Sequence, residues 1–166
     1  SKAFITSNIF RVQENFLFYT QWNSTTLKKE YYLLGYDGKS DRIVLPSHLE
    51  VTHDKFTYYN ISACAFYGSN LVSIEIGNGI NIYGYNVFYK CDNLEFLILS
   101  NQIKVFQLSQ IKSCSKCNIY LNGTSMPQEW EKDDDTIIAK VYYYYKTQPT
   151  EKGNYWHYVN SVPTKW

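Results

Sequence analysis

The chain of 166 residues has almost no excess charge and very little arginine. Sixteen basic against fifteen acidic residues leave a formal net charge of +1, so the chain lacks the positive field that grips a nucleic-acid backbone. Its two arginines are Arg11 and Arg42, and arginine is the residue that base readout favours. We therefore expect no nucleic-acid partner.

Long hydrophobic runs are also missing. No apolar stretch approaches the ~18 residues of a helix that spans a membrane, so we expect no membrane span in this chain. The chain begins with Ser1, and no charged segment followed by an apolar core opens it. The sequence therefore predicts no signal peptide here.

Cysteine is scarce, with four residues in the chain. Four are too few for a disulfide scaffold. Cys114 and Cys117 form a single CxxC, but a structural zinc site needs a second ligand pair, and His48 and His53 lie far upstream. We therefore expect no metal.

No catalytic constellation is recognisable. The pairs Ser47-His48 and His53-Asp54 are sequence neighbours, and neighbours on a strand point to opposite faces. Glu75 and Glu95 are carboxylates without a recognisable glycosidase site. With no nucleotide-binding motif either, we expect no enzyme activity and no cofactor.

What the sequence does contain is an internal repeat, which indicates a stacked architecture. Phe66 corresponds to Phe88 at a spacing of 22 residues. Further apolar positions recur at a spacing of 23: Leu71, Ile74, Ile76 and Ile80 correspond to Leu94, Leu97, Leu99 and Ile103. Two weaker copies lie at residues 111–121 and 41–46.

The repeat predicts short parallel strands stacked on one another. In each copy the last two apolar residues lie two apart, so they share one strand face. A period of roughly 20–29 residues with such a strand is typical of leucine-rich repeats. Because no coil buries its apolar face alone, we expect Leu71–Ile76, Leu94–Leu99 and a strand near Asn118–Leu121 to lie parallel and adjacent.

These segments resemble BspA-like leucine-rich repeats, a type found in many bacterial surface proteins. The resemblance is carried by residues 65–76 and 87–94, by residues 32–46, which are similar to the family's entry unit, and by residues 141–166, which are similar to its closing tail. It implies a solenoid without shared catalytic residues, in a bacterial cell-surface or secreted setting.

We therefore predict a single domain over residues 1–166, a short, mostly β, right-handed leucine-rich-repeat solenoid. Its expected parts are an N-terminal cap (1–30), leucine-rich repeats (31–123) and a C-terminal cap (124–166). The N-terminal cap is expected to form strands or a short helix, because its apolar residues alternate. In the C-terminal cap, Thr136–Tyr145 and Asn154–Val159 are expected to form a β-hairpin around a turn at Thr147–Gly153.

The strand phase also predicts a binding surface. If Ile74, Leu97 and Ile119 point into the core, their neighbours on each strand point the opposite way and line the concave surface of the solenoid. We call this surface the outer strand face, because it lies on the side of the strands away from the core. The candidate partner-binding residues on this face are Val44, Glu75, Phe96, Ile98 and Tyr120. Contiguous exposed apolar groups mark interaction sites; the alternative is that a cap of the same chain covers them.

The sequence thus favours a non-catalytic protein-protein interaction or adhesion module that binds through the outer strand face. The expected partner is a protein on a host or neighbouring cell. The alternative is a carbohydrate-binding module, because aromatic rings stack on sugar faces and the chain contains 17 tyrosines.

The repeat also places the cysteines. Cys91 and Cys114 are one copy apart, so we expect a buried pair of thiols in neighbouring coils. Such coils lie about 4.8 Å apart, which leaves a disulfide possible, although free thiols are favoured. Cys64 and Cys117 are expected to serve as small hydrophobic residues in the core.

Overall fold

The computed structural model describes residues 9–130 and 140–166. Its regular structure in these residues is almost entirely β, with one short 3-10 helix at Leu108–Ile111. The strands are β1 (Ile9–Gln13), β2 (Phe16–Asn23), β3 (Lys28–Tyr36), β4 (Arg42–Val44), β5 (Leu49–Thr52), β6 (Lys55–Thr57), β7 (Asn60–Ile61), β8 (Ser73–Ile76), β9 (Phe96–Ser100), β10 (Asn118–Asn122), β11 (Val141–Tyr144), β12 (Tyr155–Val159) and β13 (Val162–Lys165).

The first part of the described chain forms an antiparallel sheet. Strands β1, β2 and β3 pair in chain order, and the short β7 adds to β3 in parallel. Glu14 and Asn15 join β1 to β2 with φ of 52° and 66°, the backbone that a tight hairpin needs. Phe16 and Phe18 pack into the main core. Strands are therefore found here, as the alternating apolar pattern predicts.

The repeats form a second, mainly parallel sheet. Its strand order is β13-β12-β11-β10-β9-β8-β4, and β4, β8, β9 and β10 run parallel. Ile74 lies opposite Leu97, and Leu97 lies opposite Ile119. The predicted parallel and adjacent arrangement is confirmed, because a fixed repeat brings equivalent residues into register.

The inward phase of these strands is confirmed as well. Ile74, Leu97 and Ile119 are each 0% exposed and belong to the main core. Phe66 and Phe88 also belong to this core, and their rings stack with centroids 6.0 Å apart and planes 3° apart. The apolar strand positions and the stacked aromatic rings therefore form one continuous core.

Strand β11 extends the ladder with the same period. Tyr142 lies opposite Tyr120, 22 residues earlier in the chain. The spacing from Phe66 to Phe88 is the same, but the sequence prediction assigned this strand to a hairpin.

The predicted pairing of that hairpin is wrong. β12 runs parallel to β11, because the connection between them carries the chain back to the edge of the sheet at which β11 begins. The antiparallel partner of β12 is β13, reached through Asn160 and Ser161 with φ of 49° and 64°. Residues 136–139 of the predicted strand lie outside the described residues.

The cysteines divide into two groups. Cys91, Cys114 and Cys117 are buried in the main core, so the prediction for Cys117 is confirmed. The prediction for Cys64 is wrong. Cys64 is only half-buried, because it lies in a surface turn at φ 58° where its N–H donates to the Tyr85 carbonyl.

Candidate functional site

The predicted binding residues lie in one row across neighbouring strands. Val44 lies opposite Glu75, Glu75 opposite Ile98, and Ile98 opposite Tyr120. Phe96 lies two residues before Ile98 on β9, so it shares the same face. The structure therefore brings all five residues together on the outer strand face.

Two of the five are nevertheless buried. Ile98 and Tyr120 are 5% and 3% exposed, so the expectation that they lie open to a partner is wrong. They form a second hydrophobic cluster with Tyr142 and Trp156, separate from the main core. The sheet curls so far that β12 covers the outer strand face of β9 and β10. The half of the face that carries Ile98 and Tyr120 is therefore covered by a strand of the same chain.

Trp156 holds this cover in place. Its side chain is 0% exposed, and its indole Nε1 donates to the Leu121 carbonyl at 2.9 Å. Its ring meets those of Tyr120 and Tyr158 edge to face, with centroids 5.7 and 4.8 Å away. A buried tryptophan whose N–H is satisfied stabilises such a contact by both packing and hydrogen bonding.

A hydrogen bond between two distant strands, β12 and β8, lies at the edge of the covered half of the outer strand face. The Tyr158 hydroxyl on β12 donates to Glu75 Oε1 on β8 at 2.9 Å. Burial, followed by this hydrogen bond, raises the pKa of Tyr158 well above its ordinary value. Glu75 is half-buried at this contact and marks the boundary between the covered and open halves.

The other half of the face is open. Val44 is 63% exposed, and Phe96 is half-buried under Arg42, whose Cζ lies 5.3 Å from the ring centroid. Arg42 reaches Phe96 across Ser73, the small residue opposite both. We call Arg42, Val44, Glu75 and Phe96 the open strip.

Phe96 is also more tightly packed than the sequence predicts. Its ring lies 5.2 Å from that of Tyr120, so Phe96 contributes to the second cluster as well as to the surface. Arg42 is the site residue that sequence reasoning missed. Its position two residues before Val44 in the upstream repeat is the signal that places it on this face.

The adjacent pairs considered for catalysis lie on the surface. His53 Nε2 lies 3.1 Å from Asp54 Oδ2, with side chains 93% and 83% exposed. His48 Nδ1 lies 3.2 Å from Ser47 Oγ. Within residues 9–130 and 140–166, no group of three or more His, Cys, Asp or Glu is placed to hold a metal ion, and no helix is long and apolar enough to cross a membrane.

Comparison with known proteins identifies the class of the repeats. The family model described as the BspA type leucine rich repeat region matches residues 43–128 with six copies. This match covers more than half of the chain, and the chain belongs to this family. Repeats of this family generally form non-catalytic interaction modules and are typical of surface or secreted proteins. No curated protein and no solved structure matches the chain.

The burial of Tyr120 makes the free energy of unfolding depend on pH in the alkaline range. Burial raises its pKa from 10.0 to about 12, so the folded protein holds this proton more tightly than the unfolded chain. The resulting stabilisation is fully present below pH 10 and is lost as the pH rises through about 12. We therefore expect the free energy of unfolding to fall less for Tyr120→Phe than for wild type as the pH rises from 10 to about 12.

Urea unfolding at a series of pH values measures this difference. Tyr85→Phe is the matched control, because Tyr85 is 71% exposed, and it should follow the wild-type curve. Identical pH profiles for wild type and both variants would contradict the assignment of this effect to Tyr120.

Proposed function

We propose that this chain is a non-catalytic protein-binding or adhesion module of a bacterial cell-surface or secreted protein. It binds a protein of a host or neighbouring cell through the open strip. The observation that carries the proposal is the exposed Val44 beside an arginine stacked on Phe96. Arginine and aromatic side chains are enriched among the residues that dominate binding energy at protein interfaces.

The packing behind the open strip supports this proposal. Arg42 and Val44 lie on a strand whose middle residue, Ile43, is buried in the main core. Phe96 rests on the second cluster through Tyr120. Side chains held in this way lose little freedom when a partner binds, which favours affinity.

The same proposal includes the architecture of the whole chain. We infer a single domain, a right-handed solenoid of repeats over residues 31–123, with residues 1–30 and 124–166 closing its two ends. Support for the first cap comes from Phe16 and Phe18, which enter the main core from the antiparallel sheet. Support for the second comes from Trp130, whose Nε1 donates to the Ile103 carbonyl at 2.6 Å.

Substitution of Val44 tests the binding surface. We expect Val44→Ser to fold with an unchanged melting temperature, because the side chain is 63% exposed. We expect it to weaken binding to a partner captured from host-cell surface proteins by more than ~1 kcal/mol, several-fold in affinity. Surface plasmon resonance with the purified partner measures the change.

Val12→Ser is the matched control, since Val12 is 55% exposed on β1 of the other sheet. It should leave affinity unchanged. Equal affinity of wild type and both variants would place the binding surface elsewhere.

A second candidate function is glycan binding. Tyr67, Tyr85 and Tyr89 lie exposed on stacked turns, and the rings of Tyr67 and Tyr89 are 5.4 Å apart. Neighbouring aromatic faces of this kind suit a sugar chain. A glycan array probed with wild type and Val44→Ser separates the two functions, because glycan binding that survives Val44→Ser favours the tyrosines.

A further inference from the structure

Two neighbouring coils of the solenoid are held in a constant register. The Val87 N–H donates to Gln110 Oε1 at 3.2 Å, and the Lys90 N–H donates to Ser113 Oγ at 2.9 Å. Each contact joins residues 23 positions apart. The same offset places Cys91 opposite Cys114.

The Cys114 thiol and the Cys91 backbone meet at one carbonyl oxygen. Cys114 Sγ donates to the Phe88 carbonyl at 3.0 Å, and the Cys91 N–H donates to the same oxygen at 3.2 Å. The Cys114 side chain therefore leans onto the coil that carries Cys91. The Cys91 thiol occupies the equivalent place one coil earlier, where its Sγ donates to the Phe66 carbonyl at 3.0 Å. Both are buried, with 0% and 3% exposure.

The one-coil offset between the two cysteines is compatible with the backbone requirement of a disulfide. Adjacent strand-like segments lie about 4.8 Å apart, and disulfides join Cα atoms about 4.4–6.8 Å apart. Cys117 is the competing partner. Its backbone closes a turn onto the Cys114 carbonyl at 3.0 Å, but its Sγ lies against the Asn118 carbonyl at 3.6 Å.

We propose that Cys91 and Cys114 are a redox-active pair that forms an inter-coil disulfide when the protein folds in an oxidising medium. One cysteine thiolate attacks oxidised glutathione and displaces one glutathione thiolate. The second cysteine thiolate then attacks the protein sulfur of this mixed disulfide and releases the second glutathione. The two cysteine protons pass to the two departing thiolates, so two thiols are oxidised and one disulfide is reduced.

The disulfide staples two coils that are otherwise held by packing and hydrogen bonds. It restricts the unfolded chain between residues 91 and 114, and such a restriction stabilises the folded state when the geometry is unstrained. The pair faces the main core, so its oxidation leaves the open strip in place and does not depend on the proposed binding function.

Oxidative refolding tests this proposal. The reduced, unfolded full chain is refolded in a glutathione redox buffer, so that burial in the folded state does not block access to the thiols. Peptide mapping under non-reducing conditions should find Cys91 linked to Cys114 in most of the oxidised monomer. Its melting temperature should exceed that of the same sample after reduction by several degrees.

Two serine variants serve as controls. Cys117→Ser should form the same linkage with the same gain in melting temperature. Cys114→Ser should show neither, and the chain already has a serine at the equivalent position, since Ser69 Oγ lies 3.6 Å from Cys91 Sγ. A Cys114–Cys117 linkage, mixed disulfides with glutathione alone, no linkage, or an oxidised form that melts no higher than the reduced one would overturn the proposal.

Discussion

Trp156→Ala is expected to destabilise the protein by about 3–5 kcal/mol, the usual cost of deleting a fully buried tryptophan side chain. The indole is 0% exposed, and its Nε1 donates to the Leu121 carbonyl. Its loss leaves a cavity over Ile98 and Tyr120, which it covers together with Tyr142. Urea unfolding followed by circular dichroism measures the loss of unfolding free energy.

Trp22→Ala is the matched control for this prediction. Trp22 is 61% exposed on β2, so the same change in volume there should cost little stability. A loss below about 1 kcal/mol for Trp156→Ala would mean that β12 does not cover the outer strand face.

Leu97→Ala is expected to cost about 2–5 kcal/mol. Leu97 is 0% exposed at the centre of the parallel sheet, between Ile74 and Ile119. Both neighbours belong to rigid strands, so the cavity left by the side chain collapses only in part. This loss is a large share of the about 5–15 kcal/mol that holds a domain folded.

The melting temperature and the urea concentration at the unfolding midpoint should therefore both be lower for Leu97→Ala than for wild type. Leu27→Ala is the matched control, because Leu27 is 69% exposed in the turn between β2 and β3. If Leu97→Ala unfolded like wild type, the inward phase of the strands would be wrong.

The register of the parallel sheet was predictable from the sequence. A period of 23 residues equates Ile74 with Leu97, and the structure pairs these two residues. In a stacked repeat each coil packs only on its neighbours, so a local apolar pattern determines both the pairing and the inward face. The grouping of Val44, Glu75 and Phe96 on the opposite face follows from the same alternation.

The C-terminal strands were only partly predictable. The cluster of Pro149 and Gly153 indicates a turn, but the tight hairpin turn lies at Asn160 and Ser161. That dipeptide lacks the glycine of the usual hairpin signal. The 22-residue spacing from Tyr120 to Tyr142 was available in the sequence and places β11 in the ladder.

The sequence by itself therefore determined the repeat, the strand register, the inward face of the repeat strands and five of the residues on the outer strand face. Only the tertiary structure decided which of them a partner can reach. Ile98 and Tyr120 are buried by Trp156 on β12. In the order of the sheet, β12 lies three strands from β9, which carries Ile98, and two strands from β10, which carries Tyr120. That contact depends on the curl of the whole sheet and on the parallel pairing of β12, and no local pattern of apolar residues encodes either of them.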